Sequence, residues 1–220
     1  VSDRDVIIGG RMGHARLVAA VSRFAGSPKA LVVLVSVALS LVVTGVVVWL
    51  ADWRLGVDSA VYRSGAIALL RGDPLYDANT LSAEPFWALL PFTYPPTAAL
   101  LFIPLAVMPT QVAWGVLGGV SVLAMALVIR VTLARVPRRP SWLSPGRVTV
   151  VFAVVFLVLE PVWRTIFLGQ INLILLAMIV VDVLVLAVST GRARRYSGVL
   201  IGVAAAIKLS PLIFVVHLLC

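Results

Sequence analysis

Long apolar runs separated by short polar stretches make up most of this chain. Residues 30–51 carry no charged side chain, and a helix needs about 20 apolar residues to cross a bilayer. Further runs of this kind occupy residues 110–134, 148–167, 171–189 and 198–219. The pattern therefore predicts an all-α fold, a polytopic transmembrane bundle of about five spans.

The run at residues 97–107 is too short to cross a bilayer. It is typical of a re-entrant or interfacial helix, because backbone at membrane depth must satisfy its own hydrogen bonds. The polar stretch that precedes it is too long for a simple turn and indicates a functional loop. The predicted organisation is a basic arm (1–29), a first span (30–51), a loop (52–96) and the remaining bundle (97–220).

Composition supports the membrane interpretation. The chain is 61% hydrophobic and 12% charged, whereas about a quarter of the residues in a soluble domain are charged. The net charge is +9, but the basic residues flank apolar runs, so we expect no nucleic-acid partner. A single cysteine, Cys220, and two distant histidines, His14 and His217, predict no disulfide and no metal site.

Most basic residues form three clusters beside the predicted spans. The clusters comprise Arg4, Arg11, Arg16, Arg23 and Lys29; Arg130, Arg135, Arg138, Arg139 and Arg147; and Arg192, Arg194 and Arg195. All three fall on one side of the membrane if residues 97–107 do not cross it. Because cytoplasmic loops carry an excess of Lys and Arg, we expect a cytoplasmic N-terminus and an outward-facing loop.

Residues 59–70 of the loop predict a short helix at the membrane surface, ended by Gly72. Asp58 precedes this helix and has two interpretations, an N-cap or a catalytic base held just outside the bilayer. Asp58 and Tyr62 are four positions apart and would share one face of a helix.

Ionisable residues within the predicted spans are costly in lipid and are often functional. Glu160 and Arg164 lie one helical turn apart and have two interpretations. Either they form an ion pair, or Arg164 binds an anionic headgroup. Asp182 and Lys208 lie at similar predicted depths in consecutive spans. Two interpretations are open: the two residues form an ion pair, or Lys208 binds a lipid-linked phosphate.

Two further patterns concern turns and helix packing. Gln170 and Asn172 lie between two spans, where they cap helices or hydrogen-bond sugar hydroxyls. Small residues four positions apart predict close contact between helix backbones. They occur at Gly115 and Gly119, and at Gly198, Gly202 and Ala206.

Five short motifs occur in order along the chain. They are Gly56-Val57-Asp58 with Tyr62, Gly72-Asp73-Pro74-Leu75-Tyr76, Phe92-Thr93-Tyr94-Pro95-Pro96, Gly169-Gln170-Ile171-Asn172 and Ile207-Lys208-Leu209-Ser210-Pro211. With these motifs the chain resembles glycosyltransferase family 87, the multi-spanning GT-C-type mannosyltransferases. Members of that family are longer, so the chain is expected to be an N-terminal part of such a protein.

The resemblance implies transfer of mannose, with inversion, in α-1,2 linkage at the outer face of a bacterial plasma membrane. It implies a polyprenyl-phosphate-mannose donor, a phosphatidylinositol mannoside or related glycolipid acceptor, membrane lipids as surroundings and no cofactor. Asp58 maps onto the catalytic base. The expected substrate-binding residues are Tyr62, Arg63, Tyr94, Arg164, Gln170, Asn172 and Lys208. A transporter or flippase that uses the buried charges, and a non-catalytic scaffold, are the alternative functions.

Overall fold

The computed structural model describes residues 28–76, 90–135, 145–189 and 191–215. Every regular element in these ranges is helical, as predicted. In chain order the α-helices are α1 (Pro28–Leu50), α2 (Val57–Arg71), α3 (Pro96–Leu101), α4 (Ile103–Ala106), α5 (Thr110–Arg135), α6 (Pro145–Val158), α7 (Glu160–Leu168), α8 (Asn172–Val181) and α9 (Val199–Ile207). A π-helix (Asp182–Leu186) continues α8, and 3-10 helices span Gly191–Tyr196 and Ser210–Leu212. Most of the basic arm, including His14, lies outside the described residues, as do Arg138, Arg139, His217 and Cys220.

Helix α5 forms the centre of the bundle, and α1 packs antiparallel along it. A Cβ added to Gly115 would lie 2.6 Å from the Leu41 carbonyl oxygen, and one on Gly119 would lie 2.9 Å from that of Ala38. The predicted packing role of this glycine pair is therefore confirmed. It is not confirmed for Gly202, which is exposed and has no atom of the described residues within 4 Å of an added Cβ.

Two helices among the described residues, α1 and α5, are long and apolar enough to cross a membrane. The predicted span at 148–167 is bent by 76° between α6 and α7, and it makes a third if the bent pair counts as one. Pro161 lies in the first turn of α7, where the missing N–H and the ring prevent continuation from α6. The prediction of about five spans is not confirmed, because the α-helix of run 171–189 ends at Val181 and that of run 198–219 ends at Ile207.

The end of α1 and the start of α5 lie together at one end of the bundle. Gln111, at the start of α5, donates from Nε2 to the carbonyl oxygen of Trp53, just after α1, at 2.9 Å. We call this the loop end. The opposite end, where Lys29 begins α1 and Arg135 ends α5, is the basic end. There the Arg135 guanidinium donates to the carbonyl oxygen of Leu184.

Helix α2 covers the helix that the sequence predicted at residues 59–70. It ends at Gly72, whose φ of 75° and backbone bonds to Ala68 and Leu69 close the last turn. Eight of its 15 residues are buried against the rest of the described structure, and its position at the membrane surface stays a prediction. The run 97–107 forms two short helices, α3 and α4, joined at Phe102.

Candidate active site

Asp58 lies in the first turn of α2. The N-cap is Gly56, with a left-handed φ of 82° and no side-chain capping bond. The capping interpretation of Asp58 is therefore wrong. Gly56 holds this position because a Cβ there would lie 2.7 Å from the Cβ of Trp114 and because left-handed backbone favours glycine. The half-buried carboxylate of Asp58 is consequently not used to start the helix.

Two tyrosines, Tyr62 and Tyr94, lie beside each other. The hydroxyls of Tyr62 and Tyr94 lie 3.2 Å apart, and the Tyr62 ring stacks on Phe102 with centroids 4.5 Å apart. Burial raises the pKa of Tyr62, and the neighbouring Tyr94 and the charge of Asp58 add to this effect. Burial also raises the pKa of Tyr94; the bond from Tyr62 opposes the rise and Asp58 adds to it. Both phenols therefore stay protonated near neutral pH. The negative charge of the Asp58 carboxylate favours the protonated form of both.

The turn between α7 and α8 lies against the start of α2. Gly169 has a φ of 75°, and a Cβ there would lie 3.1 Å from Ser59 and from the Trp114 ring. Trp114 fixes the turn, because its Nε1 donates to the carbonyl oxygens of Ile166 at 2.7 Å and Phe167 at 3.0 Å. Two sequence-distant motifs, at residues 56–58 and 169–172, are thus held in contact through one tryptophan.

Three of the predicted substrate-binding residues form a short polar chain. Asn172 donates from Nδ2 to Oε1 of Gln170 at 2.8 Å. Lys208 donates from Nζ to Oδ1 of Asn172 at 3.1 Å. Lys208 is accessible there because its extended backbone, with φ −146° and ψ 130°, ends α9 at Ile207. Pro211 cannot supply the N–H that would bond the Ile207 carbonyl and continue the helix.

Asp182 is bonded to the start of helix α9. Its side chain is fully buried, and its two carboxylate oxygens accept the backbone N–H groups of Gly198 at 2.7 Å and Ile201 at 3.0 Å. It thus caps the N-terminus of α9, whereas Lys208 lies just past the C-terminus of the same helix. The predicted Asp182–Lys208 ion pair is wrong, because α9 separates the two residues along its length.

A cleft of about 680 Å³ opens at the loop end. Its lining residues come from three of the five motifs: Tyr76, Thr93, Tyr94, Pro95, Lys208, Leu209 and Ser210. Tyr76 donates its hydroxyl to the carbonyl oxygen of Tyr94 at 3.0 Å, and Thr97 donates to that of Ala206. The first bond joins two parts of the loop, and the second joins α3 to the end of α9. Tyr76, Thr93 and Ser210 were not selected from the sequence, although they stand in the motifs.

Of the predicted site residues, Tyr94 and Lys208 line this cleft, whereas Asp58, Tyr62, Gln170 and Asn172 do not. Arg164 and Arg63 make other contacts. Arg164 pairs with Glu160 at 3.1 Å, and both side chains are more than half exposed, so the ion-pair interpretation is confirmed. Arg63 donates from Nε to the Met108 carbonyl oxygen at 2.7 Å, which ties α2 to the segment before α5. Neither lines the cleft, and their substrate roles stay predictions.

The chain matches known proteins over most of its length. A family model for glycosyltransferase family 87 matches residues 92–220. A polyprenol-phosphate-mannose-dependent alpha-(1-2)-phosphatidylinositol mannoside mannosyltransferase of Mycobacterium tuberculosis is 33% identical over 80% of this chain and 43% of its own length. The enzyme of the same description from Mycolicibacterium smegmatis is 29% identical over 79% of this chain and 41% of its own length.

A third relative, also from Mycolicibacterium smegmatis, is described as acting on phosphatidylinositol pentamannoside. It is 36% identical over 70% of this chain and 35% of its own length. The chain therefore spans well under half the length of these curated relatives. No solved structure matches it.

Proposed function

The chain belongs to glycosyltransferase family 87, and from that premise we propose that it is part of a membrane mannosyltransferase. The enzyme transfers mannose in α-1,2 linkage from polyprenyl-phosphate-mannose to a phosphatidylinositol mannoside or related glycolipid. The observation that carries the proposal is the convergence of Tyr76, Tyr94 and Lys208, from three separate motifs, on one cleft. The relatives described above are all transferases, so a transporter function is not favoured.

In this proposal Asp58 is the general base. Its carboxylate takes the proton from the acceptor 2-hydroxyl while that oxygen attacks the anomeric carbon of the donor mannose. The bond from that carbon to the phosphate oxygen breaks on the opposite face, which converts a β-linked donor into an α-glycoside. A single well-placed carboxylate suits this step. Support comes from the position of Asp58 in the first turn of α2, beside two protonated tyrosines and free of a capping role.

Lys208 stabilises the leaving phosphate in the same proposal. The phosphate gains negative charge as the bond to mannose breaks, and a preorganised cation is the group that stabilises such a charge. Asn172 holds the ammonium group in place and begins α8. The partial positive charge at a helix N-terminus adds to the attraction of this position for an anion.

We further propose that the cleft faces the outside of a bacterial plasma membrane in a multi-pass protein. Lys29 and Arg135 lie at the basic end, which the excess of basic residues assigns to the cytoplasm. The cleft opens at the other end of the same bundle, where donor and acceptor headgroups would reach it from the outer leaflet.

Transfer of radiolabelled mannose from polyprenyl-phosphate-mannose to a phosphatidylinositol mannoside, by membranes that contain the intact protein, tests the function. We expect Asp58→Asn to lower the rate by about 100-fold or more. Asp52→Asn is the matched control, since Asp52 is exposed with a φ of 53° that Asn also adopts. An inactive wild type rejects the function. A fully active Asp58→Asn rejects only the role of that residue.

A further inference from the structure

The backbone N–H of Ile171 begins a directional chain of hydrogen bonds toward the cleft. It donates to the Tyr62 hydroxyl at 3.4 Å, so that oxygen is already used as an acceptor. The Tyr62 side chain is 1% exposed, and a buried hydroxyl proton left without an acceptor is costly. In the part of the chain that the structure describes, the hydroxyl oxygen of Tyr94, 3.2 Å away, supplies that acceptor.

The direction of this bond decides where the Tyr94 proton points. A hydroxyl has one proton to donate. The Tyr94 oxygen accepts the hydrogen bond from Tyr62, so the proton of Tyr94 is directed elsewhere. Tyr94 is half-buried and lines the cleft together with Lys208. Its ring packs edge-on against Tyr62 with centroids 5.2 Å apart, and its carbonyl oxygen is held by Tyr76. The Tyr94 hydroxyl therefore keeps a proton that does not serve Tyr62, in a residue that lines the cleft.

The ligand that matches this wall is an anion with several acceptor oxygens. Lys208 has three N–H donors, of which Asn172 takes one. A phosphate oxygen accepts hydrogen bonds and donates none when it is ionised, so it fits a wall that combines an ammonium group and a phenol proton. The raised pKa of Tyr94 keeps that proton in place and avoids a second negative charge near the ligand.

We propose that Tyr94 donates its hydroxyl proton to the phosphate group of the polyprenyl substrate, beside Lys208, and that Tyr62 is the positioning residue that directs this proton. The inference rests on the proposed function and deepens it, because it assigns the phosphate to one wall of the cleft. It also separates two roles: Tyr94 contacts the substrate, whereas the buried Tyr62 acts through Tyr94.

The first test measures binding of radiolabelled polyprenyl phosphate to the intact protein in nanodiscs. We expect Tyr94→Phe to weaken binding by about tenfold or more, the usual size of a hydrogen bond to a charged group. Tyr196→Phe is the matched control, because this tyrosine is 62% exposed and distant in the fold. Normal binding by Tyr94→Phe overturns the inference, including the case in which Tyr94→Phe slows mannose transfer alone.

The second test is a double-mutant cycle on the same binding measurement. If Tyr62 acts by directing the Tyr94 proton, Tyr62→Phe weakens binding in the wild type and has no further effect in the Tyr94→Phe variant. A purely structural role predicts equal losses in both backgrounds and overturns the positioning role. A wild type that transfers mannose while Tyr94→Phe binds normally leaves the proposed function standing. A wild type that neither binds nor transfers rejects both.

Discussion

The Nζ of Lys208 lies 3.1 Å from the side-chain oxygen of Asn172, a residue 36 positions earlier in the chain. The contact joins the break after α9 to the first turn of α8, and both lie at the loop end. It leaves the ammonium group at the wall of the cleft. Asp182, the partner expected from predicted depth, instead caps the far end of α9.

Substitution of Lys208 tests the assignment of the donor phosphate. Lys208→Met keeps the length and apolar stem of the side chain but removes its charge, so we expect the KM for polyprenyl-phosphate-mannose to rise about tenfold or more. Lys29→Met at the basic end is the control and should leave the KM unchanged. An unaltered KM in Lys208→Met would show that this ammonium group does not bind the phosphate.

Substitution of Asp182 tests its role as a cap. Asp182→Ala removes the acceptor of two backbone N–H groups, one of them buried. We expect stability to fall by roughly 2 kcal/mol, seen as a lower thermal unfolding midpoint in detergent. Adding Lys208→Ala should not restore stability, since the two residues are not paired. Rescue in the double variant would restore the ion-pair hypothesis.

Substitution of the two glycines at the ends of α2 separates the cost of backbone strain from the cost of steric crowding. Gly56 and Gly72 have similar left-handed φ values, 82° and 75°. An added Cβ meets Trp114 at Gly56, whereas at Gly72 it meets no atom of the described residues within 4 Å. We expect Gly72→Ala to lose about 1–2 kcal/mol from strain alone. Gly56→Ala should lose more and should also slow mannose transfer, because the displaced turn carries Asp58. Equal unfolding midpoints for the two variants would contradict this account.

A second pair of glycines tests the packing of the bundle. Gly115→Ala places a methyl group 2.6 Å from the backbone oxygen of Leu41, and backbone cannot rotate away as a side chain can. We expect the thermal unfolding midpoint to fall. Gly202→Ala meets no atom and gains helix propensity, so its midpoint should be unchanged or higher. A similar loss in both variants would show that the close approach of α1 and α5 does not stabilise the bundle.

Local sequence pattern determined the elements that depend on uninterrupted runs or on a single residue. Helices α1 and α5 follow from long stretches without charge, and α2 ends at Gly72 because glycine alone adopts that φ without strain. The Gly115 and Gly119 spacing marked the contact face of α5 correctly. The resemblance carried by five short motifs identified the family, since their order along the chain is read directly from the residues.

Tertiary structure decided which of these residues meet. Depth along a predicted span assumes full-length helices, but α8 ends at Val181 and α9 ends at Ile207. Asp182 therefore lies at the start of α9 and Lys208 just past its end. Asp58 lies two residues past the N-cap, because Gly56 fits against Trp114 and takes that position. The bond between Ile171 and Tyr62 joins residues 109 positions apart. The packing of distant segments determines such contacts. The local sequence pattern does not show which distant segments meet.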